Sequence, residues 1–264
     1  MELVKQFDEM LKDYIKPLTS PVAVKLLQDD EEFPEKARRP AKIFGHPIAL
    51  CQGIGIVRRY GWTLGFGKGD NACGPSLAYL GCLPYTEKQK EGGIVYPLYA
   101  KTLEAGKKTE EAVGKLEEGT FDKILLAPLN KAAFVPDVVL VYGNPGQIVR
   151  LVQGANYVNG GYVGAKATGR AACISEIATT FKTQDCNLTI PGAGEKVFAL
   201  TSDDEIIFSA PYNKLADVIE GVVTTHKSGI GRFPWPIAGI KAAPTMPGEY
   251  KFLQVMAGIE KEEE

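Results

Sequence analysis

Two halves of the sequence carry the same order of features, and this internal repeat constrains the fold more than any other pattern. Each half opens with a proline-led apolar run typical of a β-strand, at residues 21–27 and 136–142. Each half then places a cysteine at the start of a helical pattern, Cys51 in the first and Cys173 in the second. A chance alignment of short patterns is the alternative. Duplicated halves bury their strands most readily in one shared core, so the repeat predicts two pseudo-equivalent strand–helix halves.

Helical and strand patterns alternate along the chain, which predicts an α/β fold of the mixed α+β class. Apolar residues at helical spacing indicate an amphipathic lead-in helix over residues 2–15. A strand at residues 123–129 precedes a strand–turn–helix unit in which Asn144-Pro145 opens the helix. Two short apolar runs, at residues 198–200 and 206–209, flank a polar segment and predict a hairpin.

Proline content and charge mark the limits of the expected domain. One α/β domain is predicted over residues 1–231, with its two halves at about 15–120 and 121–231. From residue 232 to residue 264 the chain has four prolines, few periodic signals and an acidic end. This composition predicts a C-terminal extension over the domain surface, followed by a solvated acidic tail.

Composition and motifs exclude several classes of function. The chain has 30 Lys and Arg against 32 Asp and Glu and carries no long basic stripe, so we expect no nucleic-acid partner. Its longest apolar stretches are far shorter than the roughly 20 residues that span a bilayer, so no membrane partner is expected. The first residues lack the apolar core of a signal peptide, which predicts a cytoplasmic protein. A dinucleotide-binding glycine motif and a P-loop are both missing.

Four of the five cysteines predict a metal centre. Cys51, Cys73, Cys173 and Cys186 form no CxxC pair, which disfavours a zinc ribbon. An iron–sulfur cluster tolerates any spacing that the fold brings together, and helix starts favour thiolates. We therefore predict a 4Fe-4S cluster held by these four cysteines, with an electron-transfer or redox role. The repeat then requires Cys51 to lie beside Cys173, with Cys73 and Cys186 on the same side.

Three basic residues are added to the predicted site, and two other functions are considered beside the iron–sulfur protein. Lys25, Arg58 and Arg59 are predicted to bind the cofactor by balancing the charge of an anionic cluster or substrate. A second hypothesis is a cofactor-free enzyme with Cys51 as its nucleophile, in which the same three cations shape an anion pocket. A third is a non-catalytic binding protein whose cysteines only pack in the core. The partner would be a redox protein or a small-molecule substrate, and a homo-oligomer stays open.

The sequence also resembles a known family. The matching segments are Pro21-Val22-Ala23-Val24-Lys25, Ala49-Leu50-Cys51, Cys73-Gly74-Pro75, Ala78-Tyr79-Leu80-Gly81, Leu126-Ala127-Pro128-Leu129, Pro136-Asp137-Val138-Val139, Gly143-Asn144-Pro145 and Asp203-Asp204-Glu205. Over about residues 15–225 the chain resembles the family catalogued as domain of unknown function 169, whose name implies no activity. Where many members carry a cysteine in the glycine-rich turn after the second helix, this chain has Gly192 and places Cys186 earlier.

Overall fold

The computed structural model describes residues 1–232 and 248–258, which form a mixed sheet covered by helices. The strands are β1 (Val22–Leu27), β2 (Leu64–Phe66), β3 (Lys123–Pro128), β4 (Val138–Gly143), β5 (Gly164–Ala165), β6 (Asn187–Thr189) and β7 (Ile206–Pro211). The helices are α1 (Glu2–Met10), α2 (Pro40–Phe44), α3 (Leu50–Tyr60), α4 (Gly74–Tyr79), α5 (Glu87–Lys90), α6 (Leu103–Ala112), α7 (Pro145–Tyr157), α8 (Ala172–Thr183), α9 (Ala193–Phe198), α10 (Leu215–Ser228) and α11 (Gly248–Met256). A π-helical segment, Leu11–Ile15, extends α1, and 3₁₀ turns lie at Lys68–Asp70, Leu129–Lys131 and Tyr212–Lys214.

The strand order is β2-β3-β1-β4-β7-β6-β5, and the prediction of a mixed α/β fold is confirmed. Neighbouring strands run antiparallel except β5 and β6, which are parallel. The central strands β1 and β4 are rich in valine and leucine and buried on both sides, as expected where helices cover both faces.

The sheet separates two hydrophobic cores. Val24 and Leu140 point to one side, here named the thiol face, which is covered by α3, α4, α8 and α9. Their neighbours Ala23 and Val139 point to the opposite face, which is covered by α1, α7 and α10. This division follows from the strand geometry, because successive side chains point to opposite faces of a sheet.

Strand pairing shows that the two halves are related by a pseudo-twofold axis. Val22 of β1 pairs with Pro128 of β3, and Val138 of β4 pairs with Pro211 of β7. The central strands β1 and β4 pair with each other antiparallel, so the axis passes between them. In each half a helix leads from the central strand to the outer one: α3 precedes β2, and α8 precedes β6. The register therefore makes α3 and α8 equivalent helices.

One prediction of local structure, the hairpin, is wrong, and the prediction for the C-terminal extension falls largely outside the residues that the structure describes. The hairpin expected at residues 198–200 does not form, because α9 runs to Phe198 and β7 pairs with β4 and β6 instead. The domain limits stay a prediction, and most of the predicted C-terminal extension, residues 233–247 and 259–264, lies outside the described residues. Every helix in the described part of the chain is too short or too polar to cross a membrane.

Candidate functional site

A cavity of about 480 Å³ opens on the thiol face where α3, α4, α8 and α9 begin. Three cysteines line it: Cys51, Cys73 and Cys173. Aromatic side chains, including Tyr99 and Phe198, form part of the walls. Concave, largely apolar sites of this size are where proteins usually bind small molecules. The cavity is therefore the candidate functional site.

Local sequence explains why two of these thiols lie at helix starts. Cys51 is the second residue of α3, and Cys173 is the second residue of α8. The N-cap residues, Ala49 and Ala171, have no side chain that could cap the first turn. The first-turn N–H groups and the positive end of the helix dipole are then available to stabilise negative charge nearby. Ala171 also adopts a left-handed φ of 52°, an unfavourable conformation for a residue with a β-carbon.

The two equivalent thiols are in contact, and their protonation differs. The hydrogen bond between the Cys51 and Cys173 side chains lowers the pKa of Cys51 and raises the pKa of Cys173 well above its ordinary value. A hydrogen bond from the Gln52 backbone also lowers the pKa of Cys51, while burial raises the pKa of both thiols. The pairing thus favours a proton on Cys173 over a proton on Cys51, whose Sγ atom lies 3.8 Å from the Gly194 carbonyl oxygen. Cys51 is the more acidic thiol of the pair.

A buried carboxyl group, Glu195, lies beside the thiols. The Tyr142 hydroxyl donates to its Oε1 atom at 2.8 Å, and the Gly192 N–H donates to its Oε2 atom at 3.1 Å. Burial raises the pKa of Glu195, although these donors and the Cys173 backbone N–H act in the other direction. The negative charge of Glu195 raises the pKa of both Cys51 and Cys173. The site thus holds a carboxyl group that can store a proton close to an acidic thiol.

The fourth predicted metal ligand, Cys186, lies on the other side of the sheet. Its side chain packs against the core of the opposite face and lines a separate pocket with Lys214. Within residues 1–232 and 248–258, no group of three or more His, Cys, Asp or Glu side chains is arranged to hold a metal ion. The prediction of an iron–sulfur protein with an electron-transfer or redox role is therefore wrong. All five cysteines are free thiols.

The register shows why Cys186 does not lie on the same side as Cys73, as the repeat had led us to expect. Because Leu64 of β2 and Asn187 of β6 hold equivalent places in the sheet, Cys186 corresponds to Thr63. Cys73 is the N-cap residue of α4, and the N-cap residue of α9, the matching short helix, is Gly192. The repeat thus brings Cys51 and Cys173 together and leaves Cys186 apart.

The two arginines predicted to bind a cofactor hold neighbouring segments together instead of lining the cavity. Arg58 is 2% exposed, pairs with Glu205 and lies 3.6 Å above the centre of the Tyr142 ring. Arg59 donates to the backbone carbonyl of Ala199 at 2.7 Å. Both contacts join α3 to the segment between α9 and β7. Because the Tyr142 hydroxyl donates to Glu195, the contact of Arg58 with the Tyr142 ring helps to position Glu195.

Lys25 is also away from the cavity wall. Its Nζ atom lies 2.8 Å from Oδ1 of Asp137, and the other carboxylate oxygen of Asp137 accepts the Leu26 N–H at 2.8 Å. Lys25 is therefore already paired at the junction of β1 and the segment that leads into β4.

Sequence reasoning missed three residues of the site: Tyr142, Arg170 and Glu195. Arg170 lines the cavity and pairs with Glu110 underneath it. A signal for Glu195 was present, because it follows Gly192 by three residues, the spacing of a helix capping box. Tyr142 and Arg170 carry no comparable local signal, since only tertiary packing brings them to the cavity.

Comparisons with known proteins identify relatives but no activity. The model of the family described as "Uncharacterised ArCR", domain of unknown function 169, matches residues 10–221. The uncharacterised protein MJ0308 of Methanocaldococcus jannaschii is 28% identical over 204 residues, which cover 76% of this chain and 85% of that protein. No solved structure matches the chain.

Proposed function

This chain belongs to the family of domain of unknown function 169, and we propose that it is a cysteine-dependent enzyme that acts on a small molecule through Cys51. The observation that carries the proposal is the contact between the acidic Cys51 thiol and the protonated Cys173 thiol at the edge of an open cavity. Nucleophilic cysteines require a lowered pKa, because the thiolate is the reactive form. Cysteines that only fill a core show the reverse shift, as Cys82 does on the same face.

The proposed reaction is acyl transfer to water. Glu195 takes the proton of the Cys51 thiol, and the resulting thiolate attacks the carbonyl carbon of an acyl substrate, forming a carbon–sulfur bond while an electron pair moves to the carbonyl oxygen. The oxygen then returns this pair, the bond to the leaving group breaks, and the leaving group takes the proton of the Glu195 carboxyl. A water molecule next gives a proton to Glu195 and attacks the thioester, which releases a carboxylic acid and the Cys51 thiolate.

Cys173 acts in this scheme as a positioning residue. Its S–H group donates to the Cys51 sulfur and holds the thiolate at the cavity edge. The positive ends of α3 and α8 both point at this pair, which favours one negative charge shared between the two sulfurs. A second negative charge would be opposed by Glu195.

The cavity limits the substrate to a small molecule with an apolar part. Its volume of about 480 Å³ is within the usual range for metabolite-sized ligands, and aromatic and proline side chains line it. The mechanism requires Cys51 to remain a free thiol, so we place the protein in the reducing environment of the cytoplasm.

The pH dependence of thiol alkylation tests the assignment of Cys51. The full chain is treated with iodoacetamide between pH 5 and 10, and each cysteine is followed by peptide mass spectrometry. We expect Cys51 to react faster than the other cysteines at pH 6 to 7, where an ordinary thiol is still protonated. Burial raises the pKa of Cys82 to about 11 and that of Cys186 to about 12, which makes both of them internal controls. Reaction of Cys51 at the same rate and with the same pH profile as these controls would refute the proposal.

A further inference from the structure

A second cavity, of about 630 Å³, lies on the opposite face of the sheet and is lined by cations. It is bordered by the segment after α1, the start of α7 and the end of α10. Lys16, Arg150 and Arg232 contribute positive charge, and His226 lies among them. Asp13 is the acidic residue in the wall. The cavity therefore has an excess of positive charge.

Among the residues that the structure describes, Arg150 has only neutral partners, although it is buried. Its residue exposure is 7%, and its guanidinium donates to the Tyr14 backbone carbonyl and, at 3.2 Å, to Nδ1 of His226. The Nε atom of Arg150 has no hydrogen-bond partner among the described residues. Burial of an arginine without a counter-charge is unfavourable, and here burial lowers the Arg150 pKa.

The other deeply buried arginines show what Arg150 lacks. Arg58 pairs with Glu205, and Arg170 pairs with Glu110. In the described ranges no carboxylate pairs with Arg150. The same fold thus neutralises two buried guanidinium groups with its own carboxylates and leaves the third facing an open cavity.

The surroundings of Arg150 indicate that the missing charge comes from outside the described chain. Arg232 donates to the backbone carbonyls of His226 at 2.9 Å and Lys227 at 3.2 Å, and no carboxylate of residues 1–232 or 248–258 is paired with it. The pKa of His226 is lowered by burial and by the positive charges of Arg150 and Arg232. The N–H group of Gly146 lies in the first turn of α7, which begins at this cavity.

We propose that this cavity binds an oxyanion, either a phosphate group or a carboxylate of a small molecule, between Arg150, Arg232 and Lys16. Guanidinium groups bind both kinds of anion through paired N–H donors, so the two share one recognition chemistry. The sheet separates this cavity from the thiol site, and the inference does not depend on the proposed reaction.

Titration of His226 by NMR tests the proposal in the unmodified protein. The pKa of His226 is measured in sodium chloride, in phosphate and in acetate, all at one ionic strength. A bound anion next to Arg150 should raise it by roughly half a unit to one unit relative to chloride. A rise with phosphate identifies a phosphate site, and a rise with acetate alone identifies a carboxylate site. An unchanged pKa with both anions would overturn the proposal.

Two variants test whether Arg150 is required for anion binding. Inorganic phosphate, or acetate if only acetate shifts His226, is titrated calorimetrically into the wild type and into Arg150→Gln. The variant should bind at least about tenfold more weakly. Lys5→Gln removes one positive charge from an exposed position on α1 and should bind like the wild type. Equal affinity in all three proteins would contradict the proposal.

If Arg150→Gln fails to fold, Arg232→Gln replaces it, because Arg232 is exposed and bonds only to backbone carbonyls in the described chain. We expect about threefold or greater weakening of phosphate or acetate binding in that variant. An unchanged affinity would refute the role of Arg232 and, with it, the cluster. Cys51 alkylation should be the same as in the wild type, which separates this proposal from the proposed function.

Discussion

Cys51 and Cys173 hold equivalent positions in the two halves, yet only one of them becomes acidic. Each is the second residue of its helix, and their exposures are nearly the same, 8% and 7%. The largest cause is the hydrogen bond between the two side chains, which lowers the pKa of Cys51 and raises that of Cys173, and the helix N–H groups add to the difference. In α3 the Gln52 N–H donates to the Cys51 sulfur, whereas in α8 the Cys173 N–H donates to Glu195. The same helix start thus stabilises a thiolate in one half and a carboxylate in the other.

One position in the following short helix creates this asymmetry. The third residue of α4 is Ser76, which donates to the backbone carbonyl of Cys73 at 2.7 Å. The third residue of α9 is Glu195, whose carboxylate reaches the Tyr142 hydroxyl and the thiol pair. A pseudo-symmetric backbone therefore holds two equivalent thiols together while only one half places an acidic side chain, Glu195, beside them.

Replacing Cys51 should have the largest effect, because it removes the proposed nucleophile. With p-nitrophenyl acetate as acyl donor, we expect Cys51→Ser to lower p-nitrophenolate release by roughly 10³-fold or more. Mass spectrometry should detect an acetyl group on Cys51 in the wild type. The matched control is Cys186→Ser, which removes a thiol from the opposite face. Equal turnover by Cys51→Ser and the control would show that the thiol pair is not catalytic.

Glu176 provides a second test of the difference between the equivalent helices α3 and α8, one turn after Cys173. It follows Cys173 by three residues, at the position that Ile54 holds in α3, and accepts a hydrogen bond from the Ser209 hydroxyl at 2.6 Å. Burial raises its pKa to about 8 from 4.5. The folded state then keeps this proton while the unfolded state loses it, so the group's contribution to stability falls between pH 4.5 and 8.

Glu176→Gln should therefore stabilise the protein at alkaline pH. We expect the variant to be equally stable near pH 4 and more stable by up to about 5 kcal/mol above pH 8, because the amide keeps the Ser209 bond without a charge. Urea unfolding at several pH values measures the difference. Glu220→Gln removes a charge from an exposed position on α10 and serves as the control. A stability difference that does not grow between pH 4 and 8 would mean that Glu176 is ionised in the folded state.

Replacing Cys173 should have a smaller effect on reactivity. Without the S–H donor, the pKa of Cys51 should rise by about one unit, so alkylation of Cys51 at pH 7 should slow about tenfold in Cys173→Ala. At pH 10 the rates should converge, since Cys51 is then ionised in both proteins. The control is Cys82→Ala, which removes a buried thiol from the same core. A pH profile identical to the wild type would show that Cys173 only fills space.

The sequence was sufficient to predict elements whose apolar periodicity is strong. The central strand pair and helices α3 and α8 follow from such patterns, and the repeat led to the expectation that Cys51 lies beside Cys173. The second cysteine of each half was misaligned, because loop lengths differ between the halves. A better anchor was present in Ala127-Pro128-Leu129-Asn130-Lys131 and Ala210-Pro211-Tyr212-Asn213-Lys214, which end the equivalent strands β3 and β7.

The chemistry of the site was harder to predict than its position. As a pattern, four cysteines with two of them at helix starts fit an iron–sulfur cluster as well as they fit a thiol enzyme. The cluster is excluded because the sheet lies between Cys186 and the other three cysteines. The acidity of Cys51 depends on a hydrogen bond across the pseudo-twofold axis and on Glu195, more than 100 residues away in sequence. Such long-range contacts leave no periodic signal in a single sequence.

Replacing Lys25 should have the smallest effect of these substitutions. It tests whether this cation belongs to the thiol site or only pairs with Asp137. Its equivalent in β4 is Val141, which is 1% exposed, so the charge has no counterpart in the other half. The Lys25–Asp137 pair is partly exposed, with 31% and 18% of the two side chains accessible, and such pairs contribute at most about 1 kcal/mol. We expect Lys25→Met to lower the free energy of unfolding by less than that amount and to leave Cys51 alkylation unchanged. Urea unfolding and the alkylation assay measure both, with Lys5→Met on the α1 surface as the control. A loss of Cys51 reactivity in Lys25→Met alone would restore Lys25 to the site, because the pair with Asp137 would then have to open toward the thiols.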